Sequence, residues 1–482
     1  MLFDTIRDGM DYKRLAGGKW LNGKEYLEIV SPVDGSLCGR VPMMEDADIH
    51  AAVESCAAAQ KQWQKVPLAQ RGDILLRCAD LLEEHQEELA DMLVREIAKD
   101  ISSSRAEVQR TAELIRATVQ FAKTMTGETL QGGAMGREST AKTAIVSRVP
   151  LGVILAVSPF NYPINLAMSK IVPALVMGNA VVFKPPSQGA VVSLCMVQCL
   201  QAAGLPDGLL GTITGAGKRV GQQLLREPSI HMINFTGSTQ VGQIIAKGAG
   251  MIPLVMELGG KDAAVVLADA DLDHAVSQII SGAFGYSGQR CTAIKRVLVL
   301  EQVADEFVSK LKEKMKEITV VNPYDGCMVT PLIHEAAADF VMELVEDAQS
   351  RGADIFTTGQ RRGNLLYPIC ADHVTEEMRL AWEEPFGPIL PVLRVKSAEE
   401  AVRIANKSEY GLQASVFGNN IREVFDVVEQ VEAGTVNING KSERSPDHFP
   451  FLGIKQSGIG VQGIRYALEA SSTVKSVVLN KI

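Results

Sequence analysis

Apolar and polar positions divide the chain into stretches of different periodicity. Between residues 46 and 127, leucines recur at helical spacing with charges on the opposite side, as in LLRCADLLEEHQEELADMLVREIAKD, so this region is expected to be mostly helical. A glycine-rich break, GETLQGGAMGREST, follows, and AKTAIVSRVPLG then alternates as a pair of strands would. From residue 151, short apolar runs alternate with helical segments: GVILAVSP, NLAMSKIVPALVMG, AVVFKPP and VVSLCMVQCLQAAG, then LLGTITG, KRVGQQLLRE, HMINFTG and VGQIIAKGAG. That order implies βαβ units and a parallel sheet, with ligands expected beyond the carboxyl ends of its strands. A second alternating region, about 256 to 448, contains AIKRVLVLE, VADEFVSKLKEKMKEI and ASVFGN. The tail TVKSVVLNKI reads as one strand after a helix; it needs a partner sheet, which another subunit is able to supply. No repeat or low-complexity segment stands out. Residues 1 to about 15 carry no assignable function, and disorder or surface packing is the default for them.

Composition narrows the class. A length of 482 residues is a prior for two to four domains, and 46% hydrophobic with 22% charged residues describes a globular protein with ample core. A net charge of −9 argues against a general nucleic-acid surface, although a local cationic pocket remains compatible with it. The start, MLFDTIRDGMDYKRLAGGKW, has early acids and no apolar segment of the secretory kind. No residue from Val149 to Ser169 is charged, yet Pro150, Pro159 and Pro163 with Asn161 and Asn165 contradict a lipid-facing helix there. Eight cysteines without a CxxC pair fit a reduced, cytoplasmic protein, and Cys195 and Cys199 read as packed core thiols on one helix face. The seven histidines form no HExxH or Cys/His cluster, so no metal is indicated.

Candidate chemistry centres on FGYSGQRCTAIKR, residues 284 to 296. Cys291 follows Gly285, Gly288 and Arg290; the glycines permit tight turning and close approach, and a neighbouring cation favours thiolate over thiol. For a nucleotide, the one perfect GxGxxG, Gly458 to Gly463, is a decoy: no long parallel strand introduces it and too little chain follows. GAGKRVG (215 to 221) and FTGSTQVG (235 to 242) each join a strand to a helix, so Gly217, Gly237 and Ser238 lie where amides at a helix N-terminus hold phosphate.

SPFNYP, FKPPSQG, FTGSTQVG, MELGGKD, GYSGQRC and EEPFGPILPV occur in the order seen in the aldehyde dehydrogenase superfamily, and the resemblance runs from about residue 18 to the C-terminus. It implies an α/β fold with a modified Rossmann cofactor domain (1–130 and 151–255), an α/β catalytic domain (256–448), and a small β oligomerisation arm with the C-terminal segment (131–150 and 449–482). It also implies that Cys291 is the nucleophile, and that the Asn161 side-chain amide and the Cys291 N–H stabilise the alkoxide. Glu257, in VMELGGKD, matches the base that activates water, which favours thioester hydrolysis over acyl transfer. By the same resemblance Glu384 holds the nicotinamide ribose, Phe386 and Leu258 line that pocket, and Lys184 lies at the adenosine ribose. Where NAD-preferring relatives often carry a glutamate, this chain has Ser187, which favours NADP and leaves NAD as the weaker alternative.

Arg290, directly before the nucleophile, points to an anionic substrate because a guanidinium fork suits phosphate or carboxylate. GAFGYSGQRCTA, RLAWEEPFGPILP and FPFLGIKQSGIGVQGIRY look like the non-phosphorylating glyceraldehyde-3-phosphate dehydrogenases. In that family a phosphate is held by three arginines and a tyrosine, and Arg110, Tyr162, Arg290 and Arg444 match those positions. The resemblance therefore implies NADP-dependent oxidation of D-glyceraldehyde 3-phosphate by a homo-oligomer, tetramer favoured over dimer, with no nucleic-acid or membrane partner. Another anionic aldehyde such as succinate semialdehyde is the nearest alternative, and a non-catalytic protein on the same fold is the alternative of another class.

Overall fold

The apolar runs pair side by side. In a computed structural model, which describes residues 2–134 and 141–480, the strands Leu210–Thr212, Ala180–Lys184, Val153–Val157, Ile230–Thr236 and Leu254–Glu257 form, in that order, one parallel sheet. Its strands are covered on both faces, so they read as continuous apolar runs without a polar alternation. The helices Asn165–Val176 and Ala190–Ala202 are buried against it. The helices Asp46–Trp63, Leu68–Glu84, Gln86–Ile97 and Ile101–Ala122 contribute to the same core, as their periodicity predicts. The GxGxxG decoy supplies the two-residue strand Gly458–Ile459, which runs antiparallel along Leu254–Glu257.

The second sheet orders its strands Asp354–Thr357, Ile369–Asp372, Ile389–Val395, Arg296–Leu300, Ala263–Val266, Gln413–Phe417 and Thr435–Ile438, all parallel except the first. Alternate residues feed two cores: Ala263, Val265, Leu298 and Leu300 face the helices Glu335–Ser350 and Ala398–Lys407, while Ala264, Val266, Val297 and Val299 face Leu272–Phe284 and Glu301–Met315. This is the two-residue period of a strand covered on both faces. Five residues, Leu258 to Asp262, connect the carboxyl end of Leu254–Glu257 to the start of Ala263–Val266. The site gathers around that crossing.

Two expectations are corrected. Ser472–Asn480 pairs along its whole length with Lys142–Pro150, which also pairs with Glu128–Gln131, so the terminal strand has a partner sheet within its own chain and needs no other subunit to supply one. AKTAIVSRVPLG is one strand and not a pair: its partners are Glu128–Gln131 before it and Ser472–Asn480 at the far end of the chain, so alternation within the segment does not reveal them. Residues 135–140 of the glycine-rich break lie outside the described residues. Of the two defaults for the N-terminal stretch, packing is the one found: in residues 2–12 Phe3, Ile6 and Tyr12 are buried, and Asp11–Tyr12 pairs with Leu37–Met43. Among the described residues no helix is long and apolar enough to cross a membrane, and no group of three or more His, Cys, Asp or Glu is placed to hold a metal ion.

Candidate active site

Cys291 lies on the turn between Leu272–Phe284 and Arg296–Leu300. Just before it, Tyr286, Ser287 and Gly288 have φ of 52°, 56° and 71° in succession. L-residues rarely adopt such backbone, so the surroundings must hold it. The Tyr286 hydroxyl donates to the Ile97 carbonyl at 2.9 Å, and Ser287 Oγ exchanges two 2.8 Å hydrogen bonds with the backbone of Thr330. Gly288 packs against the Gly387 carbonyl, where a Cβ would collide. Asn161 reaches this turn from the first unit: its Nδ2 donates to the Gln289 carbonyl at 2.9 Å. An amide nitrogen carries a second hydrogen, and the Cys291 N–H has no acceptor among the described residues.

A cavity opens over Cys291, and its wall includes Arg110, Tyr162, Glu257, Arg290, Arg444 and Thr236. All four residues matched to an anion site thus meet the nucleophile and Glu257 in one space. Each guanidinium already has protein partners. Arg110 grips both oxygens of Asp447 at 2.7 Å and donates to the Arg444 carbonyl. Arg444 donates to Glu257 Oε1 at 2.5 Å and lies 4.9 Å above the Phe451 ring. Arg290 folds back onto the Ser281 and Gly282 carbonyls, with its Nε unpartnered.

That fold-back corrects the electrostatic expectation for the thiol. Cys291 is part-exposed, yet desolvation pushes its thiol up to about 11, opposed first by Lys295 and more weakly by Arg444, and reinforced by Glu257 and Asp262. The influential cation is therefore Lys295, which follows the cysteine, and not the adjacent arginine.

Glu257 ends its strand and is 3% exposed. Its Oε2 accepts from Thr236 Oγ1 at 2.5 Å and from Lys170 Nζ at 3.3 Å. Burial pushes the Glu257 carboxyl up, but Arg444 and Lys170, with the Thr236 hydroxyl, outweigh it and hold it below the ordinary value. Lys170 itself is drawn down to about 8 by burial, against the pull of Glu257. Sequence reasoning missed Lys170 and Thr236. The available signal for Lys170 was a lone lysine ending a charge-free run on an apolar helix. It also missed Lys99 and Glu107, a fully buried pair at 2.5 Å. Lys99 donates to the Asn161 carbonyl at 3.1 Å and sits 3.4 Å from the centre of the Tyr162 ring, while Glu107 accepts the N–H groups of Ile164 and Asn165.

At the other strand ends, Lys184 is buried, donates to the Pro185 carbonyl at 2.7 Å, and has no carboxylate partner among the described residues. Burial draws it down to about 8. Such a cation, unpaired at a strand's carboxyl end, fits an anionic ligand group. Gly217 opens the helix Gly217–Leu224 beside it: a Cβ there would lie 3.8 Å from Lys184 Cε. Ser187 is exposed three residues on. Ser238 caps the helix Thr239–Gly248 through the Val241 N–H, with Gly237 just before it, and Leu258 packs over Gly242 of that helix. Glu384 Oε1 accepts from the Gly260 N–H at 3.1 Å and its Oε2 lies against Gly259, where a side chain would collide. Phe386, at φ 46°, meets the Phe160 ring edge-on at 5.9 Å. An unpaired buried cation at one end and a carboxylate set in a glycine turn at the other suit the phosphate and the ribose diol of a phosphorylated dinucleotide.

This fold, with a cysteine and a buried glutamate facing one cavity, defines an aldehyde-oxidising enzyme: the Aldehyde dehydrogenase family pattern matches residues 20–477, and the chain belongs to that family. Within it, the chain is 49% identical over 469 residues to the NADP-dependent glyceraldehyde-3-phosphate dehydrogenase of Streptococcus equinus, covering 97% of this chain and 98% of that protein. The crystal structure of NADP-dependent glyceraldehyde-3-phosphate dehydrogenase from Bacillus halodurans C-125 complexed with NADP aligns at TM-score 0.96 and 47% identity, over 98% of this chain and 99% of that one. Succinate-semialdehyde dehydrogenase from Burkholderia pseudomallei shares the fold at TM-score 0.94 with 31% identity, over 99% and 98% of the two chains.

Proposed function

We propose that this protein oxidises D-glyceraldehyde 3-phosphate to 3-phosphoglycerate with NADP+ and water, without inorganic phosphate. The observation that carries the reading is the single cavity in which Cys291 and Glu257 share walls with Arg110, Tyr162, Arg290 and Arg444. Three guanidiniums and a phenol around one small space suit a dianion, and tethering it orients the aldehyde over the thiol. The 49% and 47% identities to NADP-dependent glyceraldehyde-3-phosphate dehydrogenases, against 31% to the succinate-semialdehyde enzyme, support the phosphate over a carboxylate.

The chemistry follows from the chain's own groups. Cys291 Sγ, as thiolate, adds to the aldehyde carbon. In this reading the alkoxide that forms takes hydrogen bonds from the second Nδ2 hydrogen of Asn161 and from the Cys291 N–H, the kind of donors that stabilise charge as it develops. NADP+, when bound, supplies the hydride acceptor that turns this adduct into a thioester on Cys291. Glu257, kept ionised by Arg444 and Lys170, takes a proton from the water that attacks the thioester; the C–S bond breaks, Cys291 Sγ departs as thiolate, and the acid leaves. Lys184 and Ser187 hold the phosphorylated adenosine ribose, Gly217, Gly237, Ser238 and Leu258 flank the dinucleotide, and Glu384 with Phe386 holds the nicotinamide end.

In the same reading residues 1–130 with 151–255 form the cofactor domain and 256–448 the catalytic domain. Residues 131–150 and 449–482 supply the oligomerisation arm and the C-terminal segment of a cytoplasmic homotetramer. Exposed Val474, Val477, Val478 and Leu479, beside Ile145 and Leu130 on the paired strands, support an apolar contact there. The test is the initial rate of NADPH formation with D-glyceraldehyde 3-phosphate and no inorganic phosphate, beside NAD+ and succinate semialdehyde controls. Turnover of succinate semialdehyde alone would overturn the phosphate assignment and leave Cys291 and Glu257 in place.

A further inference from the structure

We propose that Lys295 is a positioning residue that ties the nucleophile turn to the cofactor carboxylate, holding the Cys291 carbonyl and Glu384 with one ammonium. Lys295 directly precedes the strand Arg296–Leu300, and its side chain is 2% exposed. Its Nζ donates to the Cys291 carbonyl and lies 3.0 Å from Glu384 Oε1. Its own N–H donates to the Asp262 carbonyl at 2.9 Å, which fixes where the side chain starts. Asp262 is anchored in turn by the Gln413 N–H at 3.1 Å.

The two acceptors lie on separate elements. The Cys291 carbonyl belongs to the turn that carries the thiol, whereas Glu384 belongs to the segment after Arg379–Ala381. A buried ammonium cannot exchange these acceptors for water, so both elements are held to one point. The arrangement also divides the work of the Glu384 carboxylate. Oε1 is taken up by Lys295 and the Gly260 N–H, while Oε2 has no protein donor among the described residues and remains for a ribose diol. A ligand drawing on Glu384 therefore acts on the same ammonium that steadies the nucleophile. The charged groups bearing on the thiol are Lys295 before its strand, Glu257 at the end of another, Asp262 in the crossing segment, Arg444 in the late loop and Lys170 on its helix. Of the cations, Lys295 acts most strongly in favour of thiolate.

The proposal rests on the functional reading only for the role of Glu384, and its test uses no aldehyde, so a wrong substrate assignment does not touch it. Iodoacetamide alkylation of Cys291, followed by the mass of its peptide between about pH 7 and 9, reports the thiolate; an NADP+ titration followed by tryptophan fluorescence reports the carboxylate. Lys295→Met keeps the side-chain length and removes the charge. It is expected to slow alkylation about 3- to 10-fold at fixed pH and to weaken NADP+ binding by a similar factor. Glu384→Gln is expected to move alkylation the other way, about 2- to 5-fold faster, because Lys295 is relieved of its carboxylate. A Lys295→Met protein that folds but changes only one of the two readouts, or neither, overturns the proposal. Should that variant not fold, unchanged or slower alkylation in Glu384→Gln overturns it, and faster alkylation supports it.

Discussion

Arg444→Ala removes the one guanidinium that touches both halves of the proposed reaction. The side chain is 14% exposed, donates to Glu257 Oε1 at 2.5 Å and rests on Phe451. Towards a phosphate dianion the truncation deletes a charge-assisted hydrogen bond in a largely dehydrated wall, about 2–3 kcal/mol. At about 1.4 kcal/mol per tenfold, kcat/KM for D-glyceraldehyde 3-phosphate falls about 30- to 150-fold. That ratio covers binding and thioester formation, before Glu257 acts on water, so D-glyceraldehyde, lacking the phosphate, loses less than about 3-fold. The modest support Arg444 gives the thiolate is common to both aldehydes and cancels when they are compared. The second half appears in kcat. Arg444 leads the groups that hold the Glu257 carboxyl below its ordinary value against burial. Without it burial gains, the carboxyl rises, and the acid limb of a hydrolysis-limited kcat moves to higher pH, so the variant loses more at about pH 6 than at about pH 8. Initial rates with both aldehydes across this range are the assay. Equal fractional losses of kcat/KM on the two substrates would refute the phosphate role, and an unmoved acid limb would refute the coupling to Glu257.

Glu257→Gln keeps the shape at Thr236 and removes the base, so mixing enzyme with substrate and NADP+ should release about one NADPH per site in a burst, then turn over about 100- to 10,000-fold more slowly; absence of a burst would place slow chemistry before the thioester. Because burial raises the Cys291 thiol to about 11, alkylation of the free protein should climb with pH beyond 9 without levelling, and a plateau at neutral pH would contradict that. Ser187→Glu sets a carboxylate three residues from the buried, unpaired Lys184 and should lower kcat/KM for NADP+ about 10- to 100-fold while sparing NAD+, a result read directly from paired cofactor titrations; unchanged preference would move the phosphate elsewhere.

Much of this site was legible in the residues. Cys291, Asn161 and Glu257 stand in local wording that the resemblance to the family made readable; the structure brings Asn161 to the turn that carries Cys291, and Cys291 and Glu257 to one cavity. The glycines around them also have local causes: Gly288 must lie against the Gly387 carbonyl, and Gly259 must leave room for Glu384. What stayed hidden were the partners. Arg444 and Glu257 are 187 residues apart, and Arg110 and Asp447 are 337 apart. No window of sequence holds both members of either pair. Arg290 misled for the same reason, since adjacency in the chain said nothing about its return to the Ser281 and Gly282 carbonyls.

By itself the sequence determined the periodic features: the strand–helix alternation, the helical run before residue 127, and the apolar strands that must be buried on both faces. Those follow from repeats of two and about 3.6 residues, which any short window contains. The tertiary structure alone decided that the terminal strand pairs with Lys142–Pro150 of its own chain, that Lys170 and Arg444 hold Glu257 ionised, and that Lys295 is the cation bearing most on the thiol. Strand partners, desolvation and charge pairing depend on which distant elements pack together, and that is settled only when the two sheets meet across the segment from Leu258 to Asp262.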